Sequence, residues 1–514
     1  MSDTNKIRKN ILSSFKLNGL SLRSDACDYF TCQLGPLDIM EREEWIEKVI
    51  DHIQKQSLSD PIIEKSHIET AILDCCKCAT DENINIFNVT SAFEIPHFTY
   101  NLDRKKFLLN NEKRLLLPLP FERCNLFKNR YTVLKQRTLR HKLFSIGQQF
   151  NLHPVEYLLS TCSVIDRVVI LGMLTQLKEG CYFLEDPTGS VLLDFTDTNY
   201  HSGFFTESCF VLVEGSYKDK ILYVQALGFP PAESAETSRI FFGTNNIFGG
   251  SSEISLKSSA KLKEYERNNA DAMIVFLSDI WLDQQKVLQK LQIFFKGYAE
   301  CPPTAIVLMG NFLSEKYGSH HANILRAKFK VLSELLINFP DLIKITKFII
   351  IPGPADCLAA NILPRPPLLD YITEEFCKKI PNSIITTNPC RIQYCTQEIV
   401  VIREDLVTKM CRNCIKFPTN ENIPEYFAKT IACQGHLAPL PLSVCPIYWA
   451  HDAALMLYPL PDVVVVADQM KAFTSSHLDC TVFNPGSFSK SEFGFKVYYP
   501  SSKQVEDSQI PEDA

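Results

Sequence analysis

Short apolar runs that end abruptly in polar residues dominate the second half of the chain. Met273–Leu277, Ala305–Met309, Phe348–Ile351 and Val463–Val466 are unbroken apolar stretches of strand length, the pattern of strands buried on both faces of a sheet. Between them the spacing shifts to the helical period over Leu282–Phe295 and Leu325–Phe339, and Ile392–Ile402 reads as a hairpin. This alternation predicts an α/β domain over 269–514. Upstream, five shorter runs (Val168–Leu174, Tyr182–Asp186, Val191–Phe195, Phe210–Glu214, Ile221–Val224) are separated by turn residues such as Pro187-Thr188-Gly189. They predict a small β-barrel over 161–231. Residues 1–79 carry helical spacing instead. Ile7, Ile11, Leu12 and Phe15 precede a terminating Gly19, and Ser24 can cap a second helix through Phe30. Trp45, Ile46, Val49, Ile50 and Ile53 stripe a third, and Asp60-Pro61 can open a fourth with Ile62, Ile63 and Ala71. Residues 80–160 are less regular and read as a basic linker, and 232–268 as a surface loop.

Composition narrows the class. A chain of 514 residues needs two or three cores. The apolar share of 46% with 22% charged residues is that of globular protein. No window approaches the ~18 apolar residues of a membrane span, and the first residues lack the apolar core of a secretory signal. The nineteen cysteines are scattered, several within apolar runs, and are expected to be reduced and packed rather than paired. Cys411-Arg-Asn-Cys414 with Cys390 and Cys395 upstream is the one grouping that resembles a zinc cluster, but the latter two fall on the hairpin and packing is the expectation. Cys75, Cys76 and Cys78 fall on a helix. Between Asn101 and Phe150 twelve Lys/Arg face three acids. Aromatic residues interleave there, which fits either a nucleic-acid track or a linker meeting acidic surface, and the linker is preferred. Glu506, Asp507, Glu512 and Asp513 suggest a short disordered acidic tail.

The chemistry should lie where the strands end. Ser278-Asp279-Ile280-Trp281 closes the first strand, Gly310-Asn311-Phe312-Leu313-Ser314 follows the second, and Gly353-Pro354-Ala355-Asp356 follows the third. His436 sits in Gln-Gly-His-Leu, and Ala467-Asp468-Gln469-Met470 precedes Asn484-Pro485-Gly486-Ser487. This order of loops resembles the calcineurin-like metallophosphoesterases, which present Asp-x-His, Gly-Asp-x-x-Asp, Gly-Asn-His-Asp, a later His and Gly-His-x-His. Two metals ~3.5–4 Å apart need those carboxylates and imidazoles. Here Trp281 replaces a His ligand, Asn311 the bridging carboxylate and Ser314 the second Asp. Pro354 and Ala355 replace the Asn ligand and the His acid, while Asp468 and Met470 replace the last two His. Asp279, Asp356 and His436 are what remains. An indole is a donor only and an amide brings no charge, so the resemblance implies a site without metal or cofactor. There is no phosphate loop, H-E-x-x-H pair or Gly-x-Ser-x-Gly elbow.

Longer motifs carry a closer resemblance. Gly172-Met173-Leu174-Thr175-Gln176-Leu177-Lys178-Glu179-Gly180 and Phe183-Leu184-Glu185-Asp186-Pro187-Thr188-Gly189 lie in the barrel. Phe276 to Asp283, Asn388 to Glu398 and Gly435 to Pro441 lie in the α/β domain. Together they are similar to the B-subunits of eukaryotic replicative DNA polymerases, and within that group to the accessory subunits of DNA polymerase epsilon. The resemblance implies a multidomain α+β chain: an N-terminal four-helix module similar to the AAA+ lid, an oligonucleotide/oligosaccharide-binding (OB) barrel, and an inactivated phosphoesterase-like α/β sandwich. It also implies a non-catalytic nuclear subunit. Its partners would be the C-terminal domain of the polymerase catalytic subunit, the small histone-fold subunits and, through the N-terminal module, the GINS-containing replicative helicase, with at most weak DNA contact. Two alternatives stay open on the residues alone. One is a divergent single-metal phosphoesterase using Asp279, Asp356, Asp468 and His436. The other is a single-strand-binding module using the barrel and the basic stretch.

Overall fold

The computed structural model describes residues 2–35, 39–55, 62–77, 86–145, 150–356, 361–418 and 422–511. The N-terminal helices Ser2–Leu17, Ser24–Leu34, Ile39–Lys55 and Lys65–Lys77 enclose a core of their own around Ile11, Phe15, Phe30, Val49 and Ile68. Two sequence expectations fail here. Ile62–Ile63 is not helical but a strand, paired in parallel with Ser21–Leu22. A β-branched pair gains little in a first helical turn and suits extended backbone. The Asp60-Pro61 step lies outside the described residues, as does Cys78. Ser24 does not cap the second helix; its hydroxyl accepts from Arg8 Nη2 at 3.1 Å.

The barrel is formed by Ile165–Lys178, Cys181–Asp186, Gly189–Asp194, Phe210–Lys218 and Ile221–Gly228. Ile221–Gly228 pairs antiparallel with Phe210–Lys218 and in parallel with Gly189–Asp194, which closes the cylinder. Ile170, Leu174, Leu184, Val213 and Leu222 fill it. A bulge falls between Glu214 and Gly215. A Cβ on Gly215 would lie 2.1 Å from the Tyr223 carbonyl oxygen, so the chain passes only as glycine.

The C-terminal domain stacks two six-stranded sheets. The first runs Ser383–Ile385, Lys347–Ile351, Ala305–Met309, Ile274–Ser278, Gly494–Tyr499, Gln504–Gln509. The second runs Phe473–His477, Cys480–Asn484, Val463–Ala467, Gln397–Arg403, Cys390–Tyr394, Phe87–Ser91. Side chains alternate across each strand. Ile274, Phe276, Val307 and Ile349 therefore share a core with Ile392, Ile399, Val401 and Val465 of the other sheet. Their neighbours Val275, Leu277, Ile306 and Leu308 pack on Leu291, Phe295 and Phe329 of the helices Gln285–Tyr298 and His321–Leu336. On the far side, Val400, Ile402 and Val464 pack on Phe427 and Ile431 of Ile423–Gln434. The result is a four-layer sandwich.

The described residues 86–145 and 150–160 are not a plain linker. Phe87–Ser91 is the edge strand of the second sheet, in register with Cys390–Tyr394. His97–Asn101 and Lys106–Asn110 form a hairpin, and Phe121–Arg140 is a helix lying between barrel and sandwich. Three of its six basic residues turn inward, while Arg123 and Lys128 stay exposed. Arg130 pairs with Asp452, Arg137 donates to the Cys433 carbonyl, and Arg140 meets Glu233 at 2.8 Å. Residues 232–268 also depart from a plain loop, because Phe242 and Phe248 are buried and short helices cover Ala235–Arg239 and Ala260–Asn268. Nor is the acidic tail loose as far as Gln509, since Glu506 and Asp507 belong to a strand paired with Gly494–Tyr499.

Candidate functional site

Ser278 ends the strand Ile274–Ser278, and Asp279 follows with φ 54°, a left-handed conformation that Asp tolerates better than most residues. The turn aims its carboxylate across to the second sheet, where Arg403 ends the strand Gln397–Arg403. Arg403 is wholly buried. Its Nη2 and Nε donate to Asp279 Oδ1 at 2.8 and 3.3 Å, and Nε also reaches the Gly310 carbonyl at 2.8 Å. Nη1 donates to Asp405 Oδ1 at 2.9 Å and to the Ala467 carbonyl at 3.1 Å. Burial alone would push this guanidinium toward neutrality; Asp279 and Asp405 more than reverse that and hold its pKa above the ordinary arginine value. A fixed monovalent cation thus sits among the strand ends, bonded to Asp279 and to the backbone of two of the loops.

The other positions serve as supports. Asn311 donates its backbone N–H to Asp279 Oδ1 at 3.1 Å, and its side-chain oxygen accepts from the Ala355 N–H at 2.8 Å. Asp356 accepts the N–H groups of Phe312 and Gly353, both at 2.8 Å. Burial pushes its carboxyl up to about 6, against the pull of those two donors. A carboxylate so used is a loop staple. The fit is tight: a Cβ on Gly310 would lie 1.8 Å from Asp356 Oδ2 and 2.5 Å from the Gly353 nitrogen. Ser314 donates its N–H and hydroxyl to Asp283, the latter at 2.6 Å, and Tyr317 donates to the same carboxylate at 2.8 Å. Trp281 packs on the helix-side core, and Lys490 Nζ sits 5.3 Å over its ring. Pro354 contributes only a half-buried ring to its turn.

Asp468 holds the start of a helix. It accepts from the N–H groups of Val407 and Thr408, at 3.0 and 3.3 Å, at the start of the helix Leu406–Asn413, and from the Met470 N–H at 3.0 Å. An anion suits the unsatisfied donors at a helix start, although burial raises its pKa. The Met470 side chain packs on the core around Phe427. His436 belongs to a separate network. Its Nδ1 accepts from the Ala438 N–H at 3.0 Å, which leaves Nε2–H to donate to Asp452 at 3.1 Å. Burial lowers its pKa, consistent with a neutral ring. Burial would raise Asp452, but Arg130 and His436 hold it well below the ordinary carboxylate range.

The donor set does not fit a pair of divalent ions. Among the described residues no three His, Cys, Asp or Glu side chains converge as a ligand group. Asp279 already receives three donor contacts, and a guanidinium beside it repels any dication; at an effective dielectric near 20, unit charges ~4 Å apart interact by ~4 kcal/mol. Asp279, Asn311 and Asp356 are brought together, and His436 is not. Arg403 and Asp283 were missed by motif reading. The one available signal was a charged cluster, Arg403-Glu404-Asp405, directly after the apolar run Ile399–Ile402. Cys390 and Cys395 are buried, while Cys411 and Cys414 are half-buried with Cys414 bonded to the Cys411 carbonyl.

Family models match three parts of the chain: the DNA polymerase epsilon N-terminal domain over 3–75, the OB-fold domain of DNA polymerase epsilon subunit 2-like proteins over 120–231, and the B-subunit of DNA polymerases alpha and epsilon over 274–475. The chain is 49% identical to DNA polymerase epsilon subunit 2 of Bos taurus and of Homo sapiens, in each case covering 98% of this chain and 99% of the relative. It is 45% identical to that of Drosophila melanogaster, over 99% and 98%. With relatives this similar along their whole lengths, the chain belongs to the DNA polymerase epsilon subunit 2 family, accessory subunits of that polymerase.

Proposed function

We propose that the chain is a non-catalytic scaffold of the DNA polymerase epsilon complex, and that its phosphoesterase-like site has become a structural ion-pair cluster. One observation carries this reading: the enclosed Arg403 guanidinium supplies the positive charge at the strand ends and ties the two sheets through Asp279. A scaffold needs the shape of such a domain and not its turnover. In this reading the sandwich and the OB barrel clamp the C-terminal domain of the catalytic subunit in the nucleus. The small histone-fold subunits belong to the same assembly. The N-terminal helical module, AAA+ lid-like, reaches the GINS-containing helicase. The inward-turned Arg130, Arg137 and Arg140 favour scaffold over single-strand binding, since cations already paired release few counterions from a phosphate backbone.

Co-expression with the C-terminal domain of the catalytic subunit tests this. A one-to-one complex that survives gel filtration and leaves bis-p-nitrophenyl phosphate intact in the presence of Mn2+ is the expected result. Hydrolysis by the pure complex, or failure of the two chains to associate, overturns the reading.

A further inference from the structure

Three guanidinium groups, those of Arg114, Arg130 and Arg391, line a cavity of about 490 Å3 beside the hairpin and the helix Phe121–Arg140. Arg391 is 6% exposed; its Nη atoms bond to backbone carbonyls, those of Ile247 at 2.9 Å and Met456 at 3.2 Å among them, and its buried Nε has no partner among the described residues. Arg114 gives Nη2 to the Ile95 carbonyl at 2.7 Å and leaves a buried Nη1 equally unpartnered. No described carboxylate hydrogen-bonds to Arg391 or Arg114. Asp452, in the same wall, is already taken by Arg130 and His436. Glu112 and Glu122 also line the cavity without bonding to these cations. Beside it, Leu115, Leu116, Leu117, Leu119 and Phe121 are all more than half exposed, Leu117 at 86%. Three of them, Leu115, Leu119 and Phe121, line the cavity itself. Five large apolar side chains within seven residues form a patch of the kind that marks an interaction site.

We propose that this cavity and its leucine rim dock a segment of a partner protein that carries a carboxylate within an apolar stretch. The charge and the rim together select that chemistry. A free inorganic anion would answer the guanidiniums, which pair with oxyanions through forked donors, yet leave the leucines in water. A wholly apolar segment would cover the leucines and leave the buried Arg114 Nη1 and Arg391 Nε donors without an acceptor, which is costly. An acidic residue flanked by apolar ones satisfies both. The surface is separate from the Asp279–Arg403 cluster, so the proposal stands or falls apart from the fate of that site.

Panning a phage-displayed dodecapeptide library on the full chain tests it, followed by affinity measurement with the synthetic consensus peptide. The consensus should contain Asp or Glu next to Leu, Ile or Phe. Its affinity should fall at least tenfold on changing that acid to its amide, and at least tenfold for the Arg114→Gln and Leu117→Ser chains, whose melting temperatures should match the parent. Both positions are open enough to tolerate change, unlike Arg391. A consensus without an acid, or one indifferent to both substitutions, overturns the proposal. So does self-association of the chain that Leu117→Ser abolishes, which would make a second copy the occupant.

Discussion

Arg403 Nη2 and Asp279 Oδ1 lie 2.8 Å apart, both side chains enclosed, and the bond joins the last residue of a strand in one sheet to the residue just past a strand in the other. Breaking a buried pair from one side strands the remaining charge, typically at 3–5 kcal/mol. Asp279→Asn should therefore lower stability by about 3 kcal/mol in urea unfolding, somewhat less than the full range because Asp405 remains beside Arg403. The paired change Asp279→Leu with Arg403→Met should cost less than the sum of the two single changes. Strict additivity would show that the two groups do not act as a unit.

Glycines give a sharper steric test. Gly310→Ala drives a methyl group into Asp356 and the Gly353 backbone, and Gly353→Ala drives one into the Asn311 backbone at 2.7 Å. Neither variant should yield soluble folded chain. Gly297→Ala is the control, because a Cβ there meets nothing within 4 Å and the residue is exposed on the helix Gln285–Tyr298. It should stabilise by about 0.5 kcal/mol through the unfolded state. Soluble yield of the three variants, with a circular dichroism melt of Gly297→Ala against the parent, separates these outcomes.

Acid should weaken the fold through buried imidazoles. Burial lowers the pKa of His436 and, aided by Arg114, brings His451 down to about 4. A group whose folded pKa is depressed takes up its proton more readily when unfolded, so stability is full above the ordinary histidine value, ~6.5, and is lost as pH falls toward 4. Asp356, raised to about 6 chiefly by burial, works in the opposite sense: its carboxylate is a burden above pH 6 that protonation relieves. With the histidines outnumbering it, the melting temperature should fall from pH 7 to pH 5. His451→Gln should flatten that slope, and Asp356→Asn should steepen it.

Thiol reactivity follows burial. Burial pushes Cys395 up to about 12 and Cys411 to about 11, and carries Cys390 higher still. Only thiolates alkylate. Under native conditions at pH 8, iodoacetamide should modify the exposed Cys32, Cys124, Cys162 and Cys301 first and leave Cys390 and Cys395 untouched until the chain unfolds. Peptide mass spectrometry reads the order.

The strands of the barrel and of the sandwich were legible because each is a run of apolar residues bounded by turn chemistry, as at Val463–Ala467 or Cys181–Asp186. What stayed hidden depended on partners distant in sequence. Phe87–Ser91 alternates Phe87 and Val89 with Asn88 and Thr90, but so short a run does not say which sheet it joins; that is set by Cys390–Tyr394 some three hundred positions away. Arg130 and Arg137 looked like solvent-facing charges because nothing local announces Asp452 or the Cys433 carbonyl. At the site, the weak metal donors Trp281, Asn311, Ser314 and Met470 could be picked out from the motif order. The gain of a cation at Arg403 could not, because an arginine after a buried strand followed by Glu404 and Asp405 reads as an ordinary polar turn.

Calorimetric titration of the purified, zinc-free chain with Mn2+ tests the Arg403 account most directly. With a guanidinium already bonded to Asp279, Asp405 and the loop carbonyls, the chain should take up no ion at millimolar metal, and Arg403→Met should destabilise it without creating a two-metal site. Saturable binding of two Mn2+ per chain, weakened by Asp279→Asn, would contradict it.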